Sequence, residues 1–260
     1  MGEYVDAGGV RMYYEAHGEG DPVLLLHGGG GTADSWLAQV RGLAGQYRVY
    51  VPERRGHGRS PDIEGPVTME LMAADTAAFV ATLGIGSAAV IGWSDGGKVA
   101  ARLALSRPEL VQKLVLIGTE LTTHDGATPA GDALFTEEGL AELATLFRPQ
   151  YEPLSPDGPE HFQVVFDKWA QMWLTMPDLD LADLKTLTMP VLVMQGDDDG
   201  VRIEHSVAVA KAIPDAQLAV VPGTSHALPI EKPGLVNQLL ADFLSDQQTP
   251  KYMPMGALAQ

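Results

Sequence analysis

The chain of 260 residues contains no cysteine. This absence excludes disulfide bonds, thiolate metal sites and a cysteine nucleophile. Basic residues are also scarce, because 17 Lys and Arg stand against 34 Asp and Glu, which gives a formal net charge of −17 at pH 7. A surface this acidic repels nucleic acid and anionic lipid and slightly favours neutral or cationic small substrates. We therefore expect a small-molecule substrate, no nucleic-acid partner and no membrane partner.

Long uninterrupted apolar runs are missing as well, although 45 % of the residues are hydrophobic. This pattern predicts a globular protein without a transmembrane span. Residues 1–6 lack the basic and apolar regions of a secretion signal, so we expect a cytoplasmic protein. The length suits one large α/β domain with an insertion, as a monomer or as a dimer.

A serine that could act as a nucleophile lies in Gly92-Trp93-Ser94-Asp95-Gly96, directly after an apolar, strand-like run. The spacing G-x-S-x-G holds a serine on a sharp turn from a strand into a helix, and the flanking glycines remove Cβ atoms that would collide there. Extended by three residues, the same stretch nearly matches the phosphate-binding pattern G-x-x-x-x-G-K-[ST]. Val99 stands at the last position and cannot ligate Mg²⁺, which argues against a nucleotide-binding loop.

The best candidate for the general base is His226, one of 7 histidines. It lies between a predicted strand and the last predicted helix, and Ser94 occupies a similar loop. In an open parallel sheet the loops at the carboxyl ends of the strands converge on the ligand crevice. His27 and His57 lie in glycine-containing loops and are predicted to be structural.

The acid that orients this histidine is predicted to be Asp199. Three aspartates, Asp197-Asp198-Asp199, follow a buried strand, and the last of them lies where the loop has cleared the sheet. The chain order Ser…Asp…His that accompanies this serine motif also favours Asp199. Glu120, shortly after an earlier strand, is the competing acid.

An oxyanion hole is predicted where four consecutive glycines, residues 28–31, follow a buried strand. A backbone without side chains can aim N–H groups at a developing negative charge. We expect Gly29 to supply one donor and Asp95, the residue after the nucleophile, to supply the other. The dinucleotide fingerprint G-x-G-x-x-G is not met, because Ala33 is the sixth residue counted from Gly28.

Strand-like and helical patterns alternate along most of the chain but not within residues 121–187, hereafter the inserted segment. We therefore expect an α/β core of residues 1–120 and 188–246, a helical cap at 121–187 and a flexible tail at 247–260. The inserted segment carries an aromatic stripe of Phe162, Phe166, Trp169 and Trp173 at helical spacing. The stripe could dock the segment on the core, form the apolar wall of a substrate pocket, or do both.

These motifs resemble those of the α/β-hydrolase superfamily over residues 10–244. The motifs that carry the resemblance are His27-Gly28-Gly29-Gly30-Gly31, Glu53-Arg54-Arg55-Gly56-His57-Gly58-Arg59-Ser60, Gly92-Trp93-Ser94-Asp95-Gly96-Gly97, Gly196-Asp197-Asp198-Asp199 and Gly223-Thr224-Ser225-His226. The resemblance implies an eight-stranded, mostly parallel sheet with flanking helices and a helical cap after strand 6. It also implies a catalytic triad of Ser94, Asp199 and His226, with no cofactor and no metal. Glu53 departs from the aspartate that many members carry.

The implied activity is that of a serine esterase that cleaves small carboxylic esters or lactones through an acyl-enzyme. The serine motif is also similar to that of valacyclovir hydrolase-like enzymes, in which an acidic residue after the nucleophile is associated with a substrate α-amino group. Asp95 would then bind an ammonium, or it caps its own helix or pairs with Lys98. Serine relatives on this scaffold also act as C–C bond hydrolases or perhydrolases, and a non-catalytic ligand receptor is a further alternative.

Overall fold

The structure is a computed structural model that describes residues 2–122, 125–245, 247 and 250–253. Most of the predicted tail at 247–260 therefore lies outside the described residues. Within the described residues, eight strands form one sheet. The strands are β1 (Glu3–Ala7), β2 (Val10–His17), β3 (Asp21–Leu26), β4 (Tyr47–Pro52), β5 (Ala88–Trp93), β6 (Val111–Ile117), β7 (Val191–Asp198) and β8 (Ala216–Ser225).

The strand order across the sheet is β1-β2-β4-β3-β5-β6-β7-β8. Among the described strands, β2 runs antiparallel to both of its neighbours, β1 and β4, and the pairs from β4 to β8 are all parallel. The order reverses at β3, which pairs with β4 on one side and with β5 on the other. Ligands of open α/β sheets bind outside the carboxyl ends of the strands at such a switch point. The predicted eight-stranded, mostly parallel sheet is confirmed.

Helices cover both faces of the sheet. The α-helices of the described residues are α1 (Leu37–Leu43), α2 (Met69–Thr82), α3 (Asp95–Ser106), α4 (Pro129–Ala133), α5 (Glu137–Tyr151), α6 (Phe162–Thr175), α7 (Ile203–Ala212), α8 (Leu228–Glu231) and α9 (Pro233–Leu244). Helices α2 and α3 contribute to one hydrophobic core, whereas α1 and α9 contribute to the other. None of the described helices combines the length and the hydropathy that a membrane-spanning helix needs.

Successive residues of the central strands point to opposite faces, as the two-residue period of a strand requires. In β3, Leu24 and Leu26 belong to one core and Val23 and Leu25 to the other. All four are fully buried, so this strand reads in the sequence as a continuous apolar run. Burying each such side chain contributes roughly 1.5–3 kcal/mol to the free energy of unfolding. The carboxyl ends of these strands, where Ser94 lies, are therefore held by a well-packed core.

Helices α4, α5 and α6 lie between β6 and β7 in the chain, within the inserted segment. The aromatic side chains of α6 belong to the same core as α2 and α3. An ion-pair cluster adds a polar tie, because Lys168 and His161 lie 2.7 and 2.9 Å from Oδ2 of Asp62 in the loop before α2. The segment is thus joined to the sheet domain by apolar packing and by charge.

Candidate active site

Ser94 lies on a strained turn between β5 and α3. Its backbone has φ 57° and ψ −119°, and it is the one described non-glycine residue with a positive φ. A Cβ atom at Gly92 would lie 2.3 Å from the carbonyl oxygen of Gly96, and a Cβ at Gly96 would lie 2.0 Å from that of Leu26. Only glycine fits at both positions. The strain persists because the surrounding structure imposes it, as happens at functional sites.

His226 and Asp199 are brought together by the ends of two neighbouring strands. Asp199 directly follows β7, His226 directly follows β8, and Nδ1 of His226 lies 2.8 Å from Oδ1 of Asp199. The same carboxylate oxygen accepts a hydrogen bond of 3.1 Å from the N–H of Val201. The Asp199 side chain is fully buried, whereas that of His226 is 42 % exposed. The acid is therefore fixed inside the protein while the imidazole faces the crevice.

Two further contacts hold the histidine loop against the serine turn. The indole N–H of Trp93 donates to the backbone oxygen of His226 at 2.9 Å. Gly118, at φ 52°, lies next to the Asp199 and His226 side chains. A Cβ atom at this position would be 3.0 Å from both Asp199 Oδ2 and His226 Nδ1. Ser94 and His226 line the same two cavities, although within the described chain no hydrogen bond joins the serine hydroxyl to the imidazole.

The other candidate acids are bonded elsewhere. Asp197 accepts from the N–H of Thr224 at 3.0 Å and so ties the loop after β7 to the end of β8. Glu120 is buried, and its Oε2 lies 3.5 Å from Nζ of Lys98 on α3. Burial raises the pKa of the Glu120 carboxyl, and the Lys98 ammonium opposes that shift. The structure thus places Asp199, and neither of these carboxylates, beside His226.

The glycine loop predicted to hold the oxyanion follows β3 and lies against the serine turn. A Cβ at Gly28 would be 3.4 Å from the Cβ of Ser94. Asp95 is the first residue of α3, where the N–H groups of a helix have no intrahelical acceptor. Among the described residues, no acceptor is found for the N–H of Gly29 or of Asp95. Both predicted donors are therefore available at this edge of the sheet.

A buried arginine fixes the start of the glycine loop. Nη2 of Arg54 donates to the backbone oxygens of His27 and Gly28 at 2.6 and 2.8 Å. Burial lowers the pKa of Arg54 to about 10, and the negative charge of Asp95 acts in the opposite direction. Burial and the nearby Arg54 charge likewise hold the pKa of His27 and of His57 well below the ordinary histidine value. Both imidazoles are thus neutral supports of the loops.

Glu53 joins the loops that follow β3 and β4. Its carboxylate is fully buried and accepts from the N–H of Ala33 at 3.0 Å, from the N–H of Arg59 and from the Arg59 guanidinium. Burial raises the pKa of Glu53, and the hydrogen bonds from Arg59 and Ala33 oppose that shift. The longer side chain that stands here in place of aspartate thus still reaches both loops.

Two cavities meet at the serine. The larger has a volume of about 560 Å³ and the smaller a volume of about 280 Å³. Both are lined by Ser94, Asp95, Leu134, Phe135 and His226. The walls of the larger cavity are mainly apolar, whereas the smaller cavity contains the Lys98–Glu120 ion pair. A molecule bound at Ser94 could therefore extend one part into the larger cavity and another part into the smaller cavity.

Asp95 places a carboxylate at the junction of the two cavities. The residue is 5 % exposed, and its Oδ2 accepts a hydrogen bond of 2.6 Å from Nε1 of Trp173. It does not pair with Lys98, because that ammonium contacts Glu120 instead. Within the part of the chain that the structure describes, Asp95 has no ion-pair partner. A carboxylate can accept several hydrogen bonds, so Asp95, which accepts one from the neutral indole of Trp173, can accept another from a bound ligand.

Only one member of the predicted aromatic stripe reaches the site. Trp173 lines the larger cavity. Phe162, Phe166 and Trp169 line neither of the cavities at Ser94 and pack among other buried side chains, where Trp169 stacks on His57 at a centroid distance of 4.4 Å. These three side chains, expected from the sequence to contact substrate, therefore lie away from both cavities at the serine. The four positions share one face of α6, and only Trp173, near the C-terminal end of the helix, reaches the cavity at the serine.

The wall of the larger cavity comes instead from residues that the sequence reasoning did not select. Phe135 precedes α5, and Leu143, Leu146 and Phe147 lie on that helix. A Cβ at Gly30 would be 2.5 Å from the Phe147 ring, so this aromatic side chain lies directly on the glycine loop. The three-to-four-residue spacing of the apolar side chains on α5 was the available signal.

A family model described as "alpha/beta hydrolase fold" matches residues 21–155. The chain is 31 % identical over 264 residues to a non-heme haloperoxidase of Rhodococcus erythropolis, a match that covers 91 % of this chain and 96 % of the relative. It is 29 % identical to a putative carbamate hydrolase RutD of Azorhizobium caulinodans, with 94 % and 98 % covered.

A solved structure gives the same match in three dimensions. The meta-cleavage product hydrolase of Pseudomonas fluorescens IP01 superposes with a TM-score of 0.81 at 28 % identity. The similarity covers 94 % of this chain and 97 % of that one. The two folds therefore agree over nearly the whole length of both chains.

Proposed function

Since the chain belongs to the α/β-hydrolase family and is a hydrolase, we propose that it cleaves small carboxylic esters or lactones through an acyl-enzyme on Ser94. The observation that carries this proposal is the strained turn that holds Ser94 at the junction of two cavities. The contact between His226 and Asp199 supports it, because an acyl-transferring serine needs an oriented base.

The proposed reaction gives each of these groups a separate role. Oγ of Ser94 attacks the ester carbonyl carbon, and Nε2 of His226 takes the hydroxyl proton. The N–H groups of Gly29 and Asp95 hold the tetrahedral oxyanion, and each such donor lowers the barrier by about 3 kcal/mol. His226 then gives its proton to the leaving alcohol oxygen. Water repeats these steps on the acyl-enzyme and releases the carboxylic acid.

The groups around the imidazole support this assignment of roles. Asp199 accepts a hydrogen bond from Nδ1–H of His226, which leaves Nε2 as the base and stabilises the imidazolium that forms. The mainly apolar lining of the larger cavity suits the hydrocarbon part of an ester. The relatives reported above carry names of several reactions, so the ester or lactone substrate is inferred from the site alone.

A second candidate function is the hydrolysis of α-amino-acid esters. The observation that favours it is the buried carboxylate of Asp95, which lines both cavities without an ion-pair partner among the described residues. An ammonium bound there would lie next to the carbonyl that Ser94 attacks. The acidic surface of the chain would also favour a cationic substrate over an anionic one.

A substrate panel on the purified protein tests the proposed function. It contains p-nitrophenyl acetate and butanoate, γ-butyrolactone and an amino-acid ester. We expect saturable turnover of at least one ester or lactone, with an initial burst of p-nitrophenol where deacylation limits the rate. No hydrolysis of any member would contradict the proposal, and a single slow turnover per molecule would indicate a ligand receptor.

A further inference from the structure

The smaller cavity beside Ser94 contains one buried ion pair, in addition to the Asp95 carboxylate at its junction with the larger cavity. Lys98 lies on α3, four residues after Ser94, and both residues line the smaller cavity. Glu120 follows β6 and faces Lys98 across the cavity. Their side chains are 7 % and 10 % exposed.

The geometry of this pair differs from that of a buried pair with a structural role. Arg55 and Asp75 are also buried, and they form two hydrogen bonds of 2.6 and 2.7 Å. The Lys98–Glu120 contact is a single one of 3.5 Å. Charges removed from water are stabilised only if close hydrogen bonds replace hydration. The Lys98–Glu120 pair can therefore still form hydrogen bonds with a third group, whereas Arg55 and Asp75 use theirs on each other.

Among the residues that the structure describes, Lys98 also has donors without a strong acceptor. An ammonium carries three N–H donors. Besides Glu120, its described contact is the sulfur of Met176 at 3.9 Å, and a thioether is a weak acceptor. A hydroxyl oxygen placed beside both groups could accept a hydrogen bond from the ammonium, and its O–H could donate one to the carboxylate.

Charge balance decides which kind of group fits. The pair is neutral as a whole, so an ionised group would leave one buried charge without compensation. Asp132 and Asp178 add negative potential at Glu120, which disfavours an anionic group, and the Lys98 ammonium disfavours a cationic one. A hydroxyl is the smallest neutral group that both donates and accepts a hydrogen bond.

We propose that Lys98 and Glu120 form a specificity-determining subsite for a hydroxyl group carried by the half of the substrate that occupies the smaller cavity. This inference rests on the proposed function, because Ser94 supplies the reacting end of that substrate. The hydroxyl lies a few bonds from the reacting carbonyl, and the other half of the substrate extends into the larger cavity.

Two matched series of esters test the subsite. The first series varies the acyl half as p-nitrophenyl hexanoate, 6-hydroxyhexanoate, hydrogen adipate and 6-aminohexanoate. The second varies the alcohol half as the acetates of butanol and of 1,4-butanediol. In at least one series, we expect kcat/KM of the hydroxyl ester to exceed that of the plain ester roughly 10-fold. We expect the anionic and cationic esters to be poorer substrates than the hydroxyl ester.

The double variant Lys98→Met/Glu120→Gln removes both charges together, so that neither is left buried alone. The ratio of hydroxyl to plain ester should then fall to about 1. Glu70→Gln is the matched control, because Glu70 pairs with Arg102 on the same helix α3, outside both cavities at Ser94. That control should keep the wild-type ratio.

The outcomes separate this inference from the proposed function. Failure to hydrolyse any ester would contradict the proposed function itself. Hydrolysis without a hydroxyl preference in either series would overturn only the subsite, as would a preference for the charged esters. A hydroxyl preference that survives in the folded double variant would overturn it too. The wild-type series decides the question even if the variant misfolds.

Discussion

Nδ1 of His226 lies 2.8 Å from Oδ1 of Asp199, and no other carboxylate of the described residues hydrogen-bonds to this imidazole. The contact joins the ends of β7 and β8, two neighbouring parallel strands. In the proposed mechanism this contact keeps a proton on Nδ1 and leaves Nε2 to act as the base. Much of the proposed rate enhancement therefore depends on Asp199.

The variant Asp199→Asn should lower kcat about 10³–10⁴-fold, because an amide can hold the imidazole in the wrong tautomer. Glu120→Gln should cost far less, since Glu120 contacts Lys98 and not His226. Steady-state kinetics on p-nitrophenyl butanoate measures both effects. A larger loss in Glu120→Gln than in Asp199→Asn would move the acid to the loop after β6.

Asp95→Asn tests whether the carboxylate at the cavity junction binds an ammonium. Asparagine keeps an oxygen that can accept from Trp173, so the change removes mainly the charge. If Asp95 binds an ammonium, KM should rise about 10-fold or more for an α-amino ester and change little for the matched neutral ester. Equal changes in KM for both esters would rule out this role.

Phe147 and Phe162 provide a matched pair of aromatic side chains from the inserted segment. Phe147 lines the larger cavity, so Phe147→Ala should enlarge it and shift the preferred acyl chain of p-nitrophenyl esters to greater length. Phe162 is fully buried away from that cavity. Phe162→Ala should lower the free energy of unfolding by about 3–5 kcal/mol without changing the chain-length preference. A changed chain-length preference in Phe162→Ala and an unchanged one in Phe147→Ala would contradict the described site.

His57 makes a prediction about stability and pH. Burial and the Arg54 charge hold the pKa of His57 well below its ordinary value of 6.5, so the folded state binds fewer protons than the unfolded state. The stabilisation is complete above about pH 6.5 and is lost as the pH falls toward the lower folded-state pKa.

In His57→Phe this contribution is absent. Between pH 6 and pH 5 the free energy of unfolding should therefore fall less steeply in the variant, by up to about 1.4 kcal/mol per pH unit. Phenylalanine can retain the stacking on Trp169, which limits other effects. Urea unfolding at several pH values measures the slopes. Identical slopes for the wild type and the variant would show that His57 titrates normally in the folded protein.

The elements that could be predicted from the sequence are those whose physical cause is local. The turn at Ser94 needs glycine at two neighbouring positions because backbone atoms approach within 2.3 Å of where a Cβ would stand. The central strands are continuous apolar runs because both of their faces are buried. The loop after β7 could be identified as a source of the acid because parallel strands end at the same edge.

The elements that could not be predicted depend on how helices orient in three dimensions. The stripe on α6 and the apolar positions on α5 have similar helical periodicity, and only packing decides that Phe147 faces the serine while Phe162 does not. The pairing of Glu120 with Lys98 has the same origin, because it joins a helix to a loop that is distant in sequence. The pattern of residues along the sequence does not predict such contacts between distant segments.

The acyl-enzyme at Ser94 is the central claim, and mass spectrometry of the covalent intermediate tests it most directly. The protein is reacted with a fluorophosphonate or a slowly deacylating ester, digested and mapped. We predict that one equivalent of label is found on the peptide that contains Ser94, and that Ser94→Ala, while folded, is neither labelled nor active. Label on another residue, or turnover of esters by Ser94→Ala at the wild-type rate, would contradict the account.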